Sequence, residues 1–353
     1  MSGVVAPEAT VTVADPSEAG AVFGRGFFGT VGPQGLALDR YESVYLLEMR
    51  RLEVVDPRGK PVEWPELFRR AARAEPGFGV RYIVYRDLRQ RGYVVRRSPP
   101  PASFAVLPRG GTLQKTPARF WVEPLSERAP FELARWFDVA ERAQTARKTL
   151  LLALVDEESD LTYYKVRRPA PTGALPGHRL PEPTEGWLSE DRVVVFAPAA
   201  VETLGKGLAY GSRIGDRLEL SLIEAAYLIA EGDLALRDAK SRRSVSAVQF
   251  ARRASRLDRH FPERLSGYRE LRKRGLVVKT GFKYGAHFRA YPKNPENVHA
   301  RYLIHTVPDS HVGAWPEVAG GVRVAQGVRK EFIVAGVSPK GAVRFLSLER
   351  IRP

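Results

Sequence analysis

The chain consists of two diverged copies of one unit, because the sequence agrees with itself at a shift of about 182 residues. Residues 85–95 (YRDLRQRGYVV) match residues 268–278 (YRELRKRGLVV), and residues 143–148 (AQTARK) match residues 325–330 (AQGVRK). Chance matches would not keep nearly the same shift over the whole length. An internal repeat of this size restricts the fold to a duplicated structural unit.

Dense proline between residues 169 and 187 separates the two copies. Proline without an apolar period is typical of an extended linker. The sequence therefore predicts an N-terminal segment 1–20, a first repeat 21–168, a linker 169–187, the front part of the second repeat 188–280 and its back part 281–353.

Each copy is predicted to have a helical front followed by a mixed α/β back, an α+β fold made twice. Capping-box pairs mark helix starts at Asp39 with Glu42 and at Ser221 with Glu224, and Gly232 marks a helix end. Further elements are expected in the second copy: helices near 244–260 and 262–274, strands at 287–291, 300–307, 331–337 and 342–349, and a short helix near 314–320.

Composition narrows the class of partner. The chain has 56 Lys and Arg against 40 Asp and Glu, a net charge of +16. A field of this sign attracts polyanions and favours nucleic acid over an inert basic surface. The absence of cysteine excludes disulfides, thiolate zinc sites and cysteine nucleophiles, and fits a cytoplasmic protein. No run of eighteen apolar residues occurs, so no membrane span is expected.

Three blocks of the second copy, taken in order, are specific to one family. They are GFKYGAHFRAY at 281–291, HARYLI at 299–304 and VRVAQGVRK at 322–330. In this order they resemble the C-terminal nuclease domain of archaeal tRNA-intron endonucleases. The resemblance covers residues 265–353 strongly, and it implies a nuclease-like back part in each copy, the first copy resembling the family through the repeat.

The resemblance implies that Tyr291, His299 and Lys330 are catalytic. RNA supplies its own nucleophile, because a 2′-hydroxyl can attack the adjacent phosphate when a base takes its proton and an acid protonates the leaving 5′-oxygen. This chemistry needs no metal and no cofactor. We assign Tyr291 as base, His299 as acid and Lys330 as the group that stabilises transition-state charge. Positive charge from Arg329 and Lys330 is expected to lower the pKa of Tyr291.

The first copy serves as an internal comparison for this site. At the three corresponding positions it has Leu107, Pro117 and Lys148, of which only the lysine matches. The first copy therefore lacks an acid and a base, and it is predicted to be a structural partner that has kept the fold and lost the site.

Substrate binding and assembly are implied by the same resemblance. The family recognises precursor tRNA at a bulge-helix-bulge structure and holds the flipped-out bases between a cation and a flat side chain. By position these are Arg323 and Phe345, where a tryptophan is more usual. The alternative for Phe345 is that it belongs to the core of the sheet.

Cutting two bulges requires two sites, so a homodimer is expected. The family docks an acidic loop into a basic pocket of a neighbouring unit. Asp309 follows the strand at 300–307, and Glu127 occupies the same place in the first copy. We expect Glu127 to serve this docking. For Asp309 two interpretations are equal: it docks in the same way, or it is an ordinary solvated loop charge.

Taken together, the sequence predicts a tRNA-splicing endonuclease that leaves 2′,3′-cyclic phosphate and 5′-hydroxyl ends. The competing interpretation is a non-catalytic RNA-binding subunit of a splicing complex. Retention of Tyr291, His299 and Lys330 favours the enzyme.

Overall fold

The computed structural model describes residues 1–175, 177, 180–296 and 298–353. The chain divides into two compact units. The first contains Met1–Ala129, Arg142–Lys165 and Ile351–Pro353, and the second contains Pro130–Glu141 and Val166–Arg350. The division after Lys165 lies close to the end expected for the first repeat.

The helices of the described residues are α1 (Pro16–Gly24), α2 (Arg40–Glu48), α3 (Trp64–Ala74), α4 (Phe78–Gln90), α5 (Leu133–Thr145), α6 (Pro198–Ala200, continued as a π-helical turn Val201–Gly207), α7 (Leu222–Glu231), α8 (Ala247–Leu257), α9 (Phe261–Lys273) and α10 (Trp315–Gly327). A 3-10 turn spans Phe282–Tyr284.

The strands of the described residues are β1 (Ser2–Val5), β2 (Val11–Val13), β3 (Thr30–Gly32), β4 (Gly35–Leu38), β5 (Glu53–Val55), β6 (Val95–Arg97), β7 (Phe104–Val106), β8 (Phe120–Ser126), β9 (Pro130–Glu132), β10 (Thr149–Val155), β11 (Leu161–Arg167), β12 (Thr184–Ser189), β13 (Arg192–Val195), β14 (Ser212–Ile214), β15 (Arg217–Ser221), β16 (Leu234–Asp238), β17 (Ser244–Val245), β18 (Val277–Thr280), β19 (Phe288–Tyr291), β20 (Tyr302–Pro308), β21 (Val312–Ala314), β22 (Glu331–Val337) and β23 (Val343–Ile351).

The first unit begins with a sheet in the order β3-β4-β2-β1-β5. Residues 1–20 therefore do not form a separate segment, since they supply β1, β2 and the start of α1. Val5, Val11 and Val13 are buried in the core of this unit. Burial of these valines ties the N-terminus to the rest of the first repeat.

The nuclease-like part of the first unit is a sheet in the order β6-β7-β8-β10-β11. Its central strands β8 and β10 are parallel, with Phe120 opposite Thr149. Tyr41, Phe78 and Phe104 lie at the centre of the core, where the Tyr41 ring stacks on Phe78 at 5.0 Å and meets Phe104 edge-on at 5.2 Å.

The second unit has the same plan. Its first sheet runs β14-β15-β13-β12-β16-β17 and its nuclease-like sheet runs β18-β19-β20-β22-β23. Strands β20 and β22 are parallel, with Tyr302 opposite Glu331, which is the β8–β10 register displaced by the repeat shift. The duplicated α+β fold is therefore confirmed. The helical front was an incomplete description, because each front part also contains a sheet.

Local signals explain several element boundaries. Asp39 with Glu42 and Ser221 with Glu224 form complete capping boxes at the starts of α2 and α7. Gly232 ends α7 in the left-handed region, with φ 84°. Helix α10 runs past the expected end near residue 320 and continues through Gly321, which packs closely against a neighbouring strand. A Cβ at this position would collide with the Phe332 ring.

The linker is hydrogen-bonded to the second unit. The N–H of Gly173 donates to the carbonyl of Arg274, and the N–H of Ala174 donates to the carbonyl of Pro292 at 2.7 Å. Residues 176, 178 and 179 of this linker lie outside the described residues. No helix among the described residues is long and apolar enough to cross a membrane.

Candidate active site

Three strand ends of the second unit meet at one end of its nuclease-like sheet. Strand β19 ends at Tyr291, β20 runs antiparallel to it with Ala290 opposite Tyr302, and β22 runs parallel to β20 with Tyr302 opposite Glu331. This register places Tyr291, the residues just before β20 and the residue just before β22 at the same sheet end. His299 and Lys330 are among these residues.

Backbone hydrogen bonds fix the spacing of these ends. The N–H of Arg301 donates to the carbonyl of Ala290 at 3.0 Å, and the N–H of Glu331 donates to the carbonyl of Arg301 at 2.9 Å. The N–H of Lys330 donates to the carbonyl of Ala325, which closes the end of α10. The backbone hydrogen bonds between β19, β20 and β22 thus fix the chain positions from which the three predicted catalytic residues extend.

Tyr291 is mostly buried, with 7% of its surface exposed, and its ring packs with Val277 and Ala300. Burial raises the pKa of Tyr291, the Arg289 guanidinium opposes that rise, and Tyr284 adds to it. Arg289 lies 5.8 Å from the centre of the Tyr291 ring. The expectation that Arg329 and Lys330 lower this pKa is therefore wrong, because burial outweighs the nearby charge and the cation involved is Arg289.

Lys330 is half-buried, and its Nζ donates to the carbonyl of Val328 at 3.2 Å. The same ammonium lies 5.6 Å from the centre of the Tyr284 ring. Among the described residues Lys330 has no carboxylate within ion-pair distance. Its charge is therefore available to an anion.

Sequence reasoning did not select Tyr284, although this residue lies in the block that suggested the family. Tyr284 ends the 3-10 turn, and Gly285 follows it with φ 65°. The centre of its ring lies 5.6 Å from the Lys330 ammonium, and its phenol adds to the rise in the pKa of Tyr291. Nothing in the sequence alone separates this tyrosine from an ordinary loop aromatic.

His299 is exposed on the segment that leads from β19 into β20. That segment is held at its base, where Asn294 Nδ2 donates to the carbonyl of Lys206 at 3.1 Å. Residue 297 lies outside the described residues. The imidazole is therefore accessible from solvent at the sheet end that contains Tyr291 and Lys330.

The two residues expected to hold flipped bases differ in exposure. Arg323 is exposed on α10, where a substrate can reach it. Phe345 is 5% exposed and belongs to the hydrophobic core of the second unit, with the Arg274 guanidinium 5.1 Å from its ring centre. This burial favours the alternative that Phe345 belongs to the core of the sheet, and base stacking by Phe345 stays a prediction.

The two acidic loop residues lie in matching positions of their copies. The N–H of Glu127 donates to the carbonyl of Val155, and the N–H of Asp309 donates to the carbonyl of Val337, both at 2.9 Å. Glu127 Oε1 accepts from the N–H of Glu157. Asp309 differs, because its carboxylate is paired with Arg344 at 3.5 Å.

The first copy has the same backbone and different side chains. Its register places Leu107 where the second copy has Tyr291, and Leu107 is 3% exposed. Lys148 repeats the backbone bond of Lys330, but its Nζ donates to the carbonyl of Ala118. The first copy therefore has the same scaffold without the tyrosine and the histidine.

A half-buried histidine pair lies elsewhere in the second unit. The rings of His287 and His305 are 5.3 Å apart. Burial and the nearby Arg264 guanidinium lower the pKa of His287 to about 4. Its Nδ1 accepts from the N–H of Thr306 at 3.0 Å. His287 is thereby hydrogen-bonded to strand β20 next to His305.

Comparison with known families agrees with the duplication. The model for the tRNA intron endonuclease catalytic C-terminal domain matches residues 78–163 and 261–345. The model for the tRNA intron endonuclease N-terminal domain matches residues 7–68 and 184–251. Tyr291, His299 and Lys330 all lie within the second match of the C-terminal domain.

Several relatives match almost the whole chain. A tRNA-splicing endonuclease of Methanosarcina acetivorans is 37% identical over 331 residues, which cover 93% of each chain. One from Methanococcoides burtonii is 36% identical and covers 94% of each chain. One from Halobacterium salinarum is 34% identical and covers 93% of each chain. Two domain types, each matched twice, and relatives of this coverage show that the chain belongs to the tRNA intron endonuclease family.

Proposed function

We propose that this enzyme excises introns from precursor tRNA by cutting both bulges of a bulge-helix-bulge RNA. The products would be 2′,3′-cyclic phosphate and 5′-hydroxyl ends. The observation that supports this most is the convergence of Tyr291, His299 and Lys330 at one end of the β19-β20-β22 sheet. These residue types supply the groups that attack by a 2′-hydroxyl requires.

Tyr291 is the proposed base for the 2′-hydroxyl. Because burial raises its pKa, the phenol is protonated in most free enzyme molecules at neutral pH. The reactive form is the small fraction that has lost this proton, with Arg289 opposing the cost of the phenolate.

His299 is the proposed acid, and its exposure supports this role. The leaving 5′-oxygen belongs to a large RNA that must approach from solvent. A histidine on the segment before β20 can give its proton to that oxygen while Tyr291 takes a proton on the neighbouring strand. The proton acceptor and the proton donor are separate residues. Because the nucleophile belongs to the RNA, no covalent enzyme intermediate is needed.

Lys330 is the proposed stabiliser of the negative charge that develops on the pentacoordinate phosphorus. Its ammonium is preorganised by the Val328 carbonyl and the Tyr284 ring, and no carboxylate of the described residues competes for it. A fixed cation at this point stabilises the transition state without reorganising during the reaction. We therefore expect cleavage without added divalent metal.

The 2′-hydroxyl requirement is the property that tests this proposal. An RNA with a single 2′-deoxynucleotide at one of its two cut sites should be cut at the unmodified bulge and left intact at the modified one. Cleavage at the 2′-deoxy site would show that water or another group is the nucleophile. Tight binding without cleavage at either bulge would favour a non-catalytic RNA-binding subunit.

We further propose that the enzyme works as a homodimer that docks through Glu127. The support is a difference in charge between the copies. The β10–β11 hairpin beside Glu127 has the acidic sequence DEESD at 156–160, whereas the β22–β23 hairpin beside Asp309 reads SPKGA at 338–342. Asp309 is already paired with Arg344. The first copy therefore presents the acidic surface that a basic pocket of a second chain would bind.

A change of charge at Glu127 tests this assembly. Glu127→Lys should shift the protein from dimer to monomer in sedimentation velocity, while Asp309→Lys should leave the dimer in place. A Glu127→Lys protein that remains a normal, active dimer would contradict the docking role. Its folding is checked by an unchanged circular-dichroism spectrum, because loss of the dimer would itself lower the thermal unfolding midpoint.

A further inference from the structure

A cavity of about 350 Å³ lies in the second unit directly beside Lys330. Its lining includes three cations, Arg167, Arg329 and Lys330, and two carboxylates, Glu331 and Glu349. Gln326 also lines it and donates from Nε2 to the carbonyl of Arg350 at 2.9 Å, which fixes one wall. The cavity therefore continues the candidate active site with a charged and polar surface.

Arg167 is a cation of this cavity that the proposed catalytic chemistry does not use. It is the last residue of β11, and its side chain is 47% exposed. One guanidinium nitrogen, Nη2, lies 3.5 Å from Glu331 and 3.4 Å from Glu349. These are long, solvent-exposed pairs, which contribute little to stability and exchange readily with another anion.

A phosphate is the anion that fits this arrangement. Arginine binds phosphate oxygens through two parallel N–H donors, a stronger interaction than a single long contact to a carboxylate. The neighbouring Lys330 is the group proposed to meet the reacting phosphate. An RNA backbone that places one phosphate at Lys330 brings the phosphates of adjacent nucleotides towards the cavity.

The two copies differ here in a way that supports a specific role. Position 331 is glutamate in the second copy, while its counterpart in the first copy is Thr149. Glu349 corresponds in sequence to Arg167 itself. The two carboxylates are thus features of the copy that has the catalytic residues, and in the absence of RNA they hold Arg167 at the cavity.

We propose that this cavity is a subsite for the RNA backbone beside the cleaved phosphodiester, in which a flanking phosphate displaces Glu331 and Glu349 from Arg167. This inference rests on the proposed function. Glu331 and Glu349 keep Arg167 in place in the free enzyme and repel RNA until the arginine has bound its phosphate. Arg167 is therefore a binding residue that positions the strand and takes no part in proton transfer.

The experiment measures binding of an uncleavable bulge-helix-bulge RNA, 2′-deoxy at both cut sites, to the full-length protein. Arg167→Ala should bind about tenfold more weakly than wild type, and the slope of affinity against salt concentration should fall by about one ion. Arg167→Lys should lose less. The matched control is Arg168→Ala, since Arg168 pairs with Glu141 outside the cavity and its loss should leave affinity unchanged.

A second set of variants separates a phosphate contact from unpaired carboxylates. In a background of Glu331→Gln with Glu349→Gln, Arg167→Ala should still weaken binding several-fold. If the loss disappears in that background, the effect came from the freed carboxylates and the subsite is overturned. Glu349→Gln alone should bind about threefold tighter, because a competing anion is removed.

The outcomes also separate this inference from the proposed function. If wild type cleaves the all-RNA substrate and Arg167→Ala binds as tightly as wild type, the subsite is wrong and the enzyme assignment stands. An equal loss for Arg167→Ala and Arg168→Ala would likewise overturn the subsite. If wild type binds the RNA and does not cleave it, the proposed function fails, while the Arg167 comparison still reports on the cavity.

Discussion

The ammonium of Lys330 lies 5.6 Å from the centre of the Tyr284 ring. The same tyrosine adds to the rise in the pKa of Tyr291 that burial begins. Tyr284 therefore adjoins two of the proposed catalytic groups. A cation over an aromatic face gains about 0.5–1 kcal/mol at partly exposed sites. This interaction orients Lys330 before RNA binds.

Replacing Tyr284 tests that positioning role. Tyr284→Ala should slow the single-turnover cleavage step by about two- to tenfold, with RNA affinity nearly unchanged, since the ring orients Lys330. Tyr284→Phe keeps the ring and should cleave at nearly the wild-type rate. A wild-type rate for Tyr284→Ala, or an equal loss for Tyr284→Phe, would contradict the account.

Lys330 has an internal control in the first copy. Lys330→Ala should reduce the single-turnover rate by about 100-fold or more, because a preorganised positive group at the developing charge is lost. Lys148→Ala removes the counterpart, whose Nζ donates to the carbonyl of Ala118, and should leave the cleavage rate unchanged. Similar losses of cleavage rate for the two variants would mean that Lys330, like Lys148, contributes to the fold and not to the reaction.

His299 can be tested through the leaving group. His299→Ala should lower the single-turnover rate by about 100-fold or more on ordinary RNA. When the leaving 5′-oxygen of the substrate is replaced by sulfur, the leaving group departs as a thiolate and needs no acid. The variant and wild type should therefore cut this substrate at similar rates. If His299→Ala is equally impaired on both substrates, histidine does not serve as the acid.

The half-buried His287 predicts a dependence of stability on pH. Its pKa in the folded protein is about 4, lowered by burial first, then by Arg264 and His305, with Asp258 acting in the opposite direction. In the unfolded chain the His287 imidazole binds a proton near pH 6.5, whereas in the folded protein it does so only near pH 4. Stability should therefore fall as pH drops from about 6.5 to 4, by no more than roughly 3 kcal/mol from this group.

The measurement is the thermal unfolding midpoint of wild type and His287→Gln at a series of pH values. The variant should show a flatter pH dependence over that window, because glutamine does not titrate and its carbonyl can accept from the Thr306 N–H. Parallel curves for the two proteins would show that His287 is not responsible. Comparing the two proteins at each pH cancels carboxylates that titrate in the same range.

Long-range agreement within the sequence predicted the duplicated fold, whereas the resemblance of three blocks to a known family selected Tyr291, His299 and Lys330. The shift of about 182 residues reappears as matching strand registers, with Phe120 opposite Thr149 and Tyr302 opposite Glu331. The Ser221–Glu224 capping box was predicted because it depends on a local contact of side chain and backbone. Such features require no knowledge of distant packing.

Other features depended on packing that the sequence does not display. The strands of residues 2–13 are short and separated by a turn, so they give little periodic signal before they pair. Gly321 resembles a helix stop until Phe332 is seen against it. Phe345 was selected by its distance from Lys330 along the chain, but the alternation of β23 buries its ring. The raised pKa of Tyr291 likewise follows from burial that only the fold produces.

The most direct test of the account is cleavage of a synthetic bulge-helix-bulge RNA by the full-length protein in EDTA, with the product ends identified. We expect cuts at both bulges that leave 2′,3′-cyclic phosphate and 5′-hydroxyl ends, and loss of both cuts in Tyr291→Phe. Cleavage that appears only after Mg²⁺ is added, or products with 3′-hydroxyl and 5′-phosphate ends, would contradict the proposed chemistry of Tyr291, His299 and Lys330.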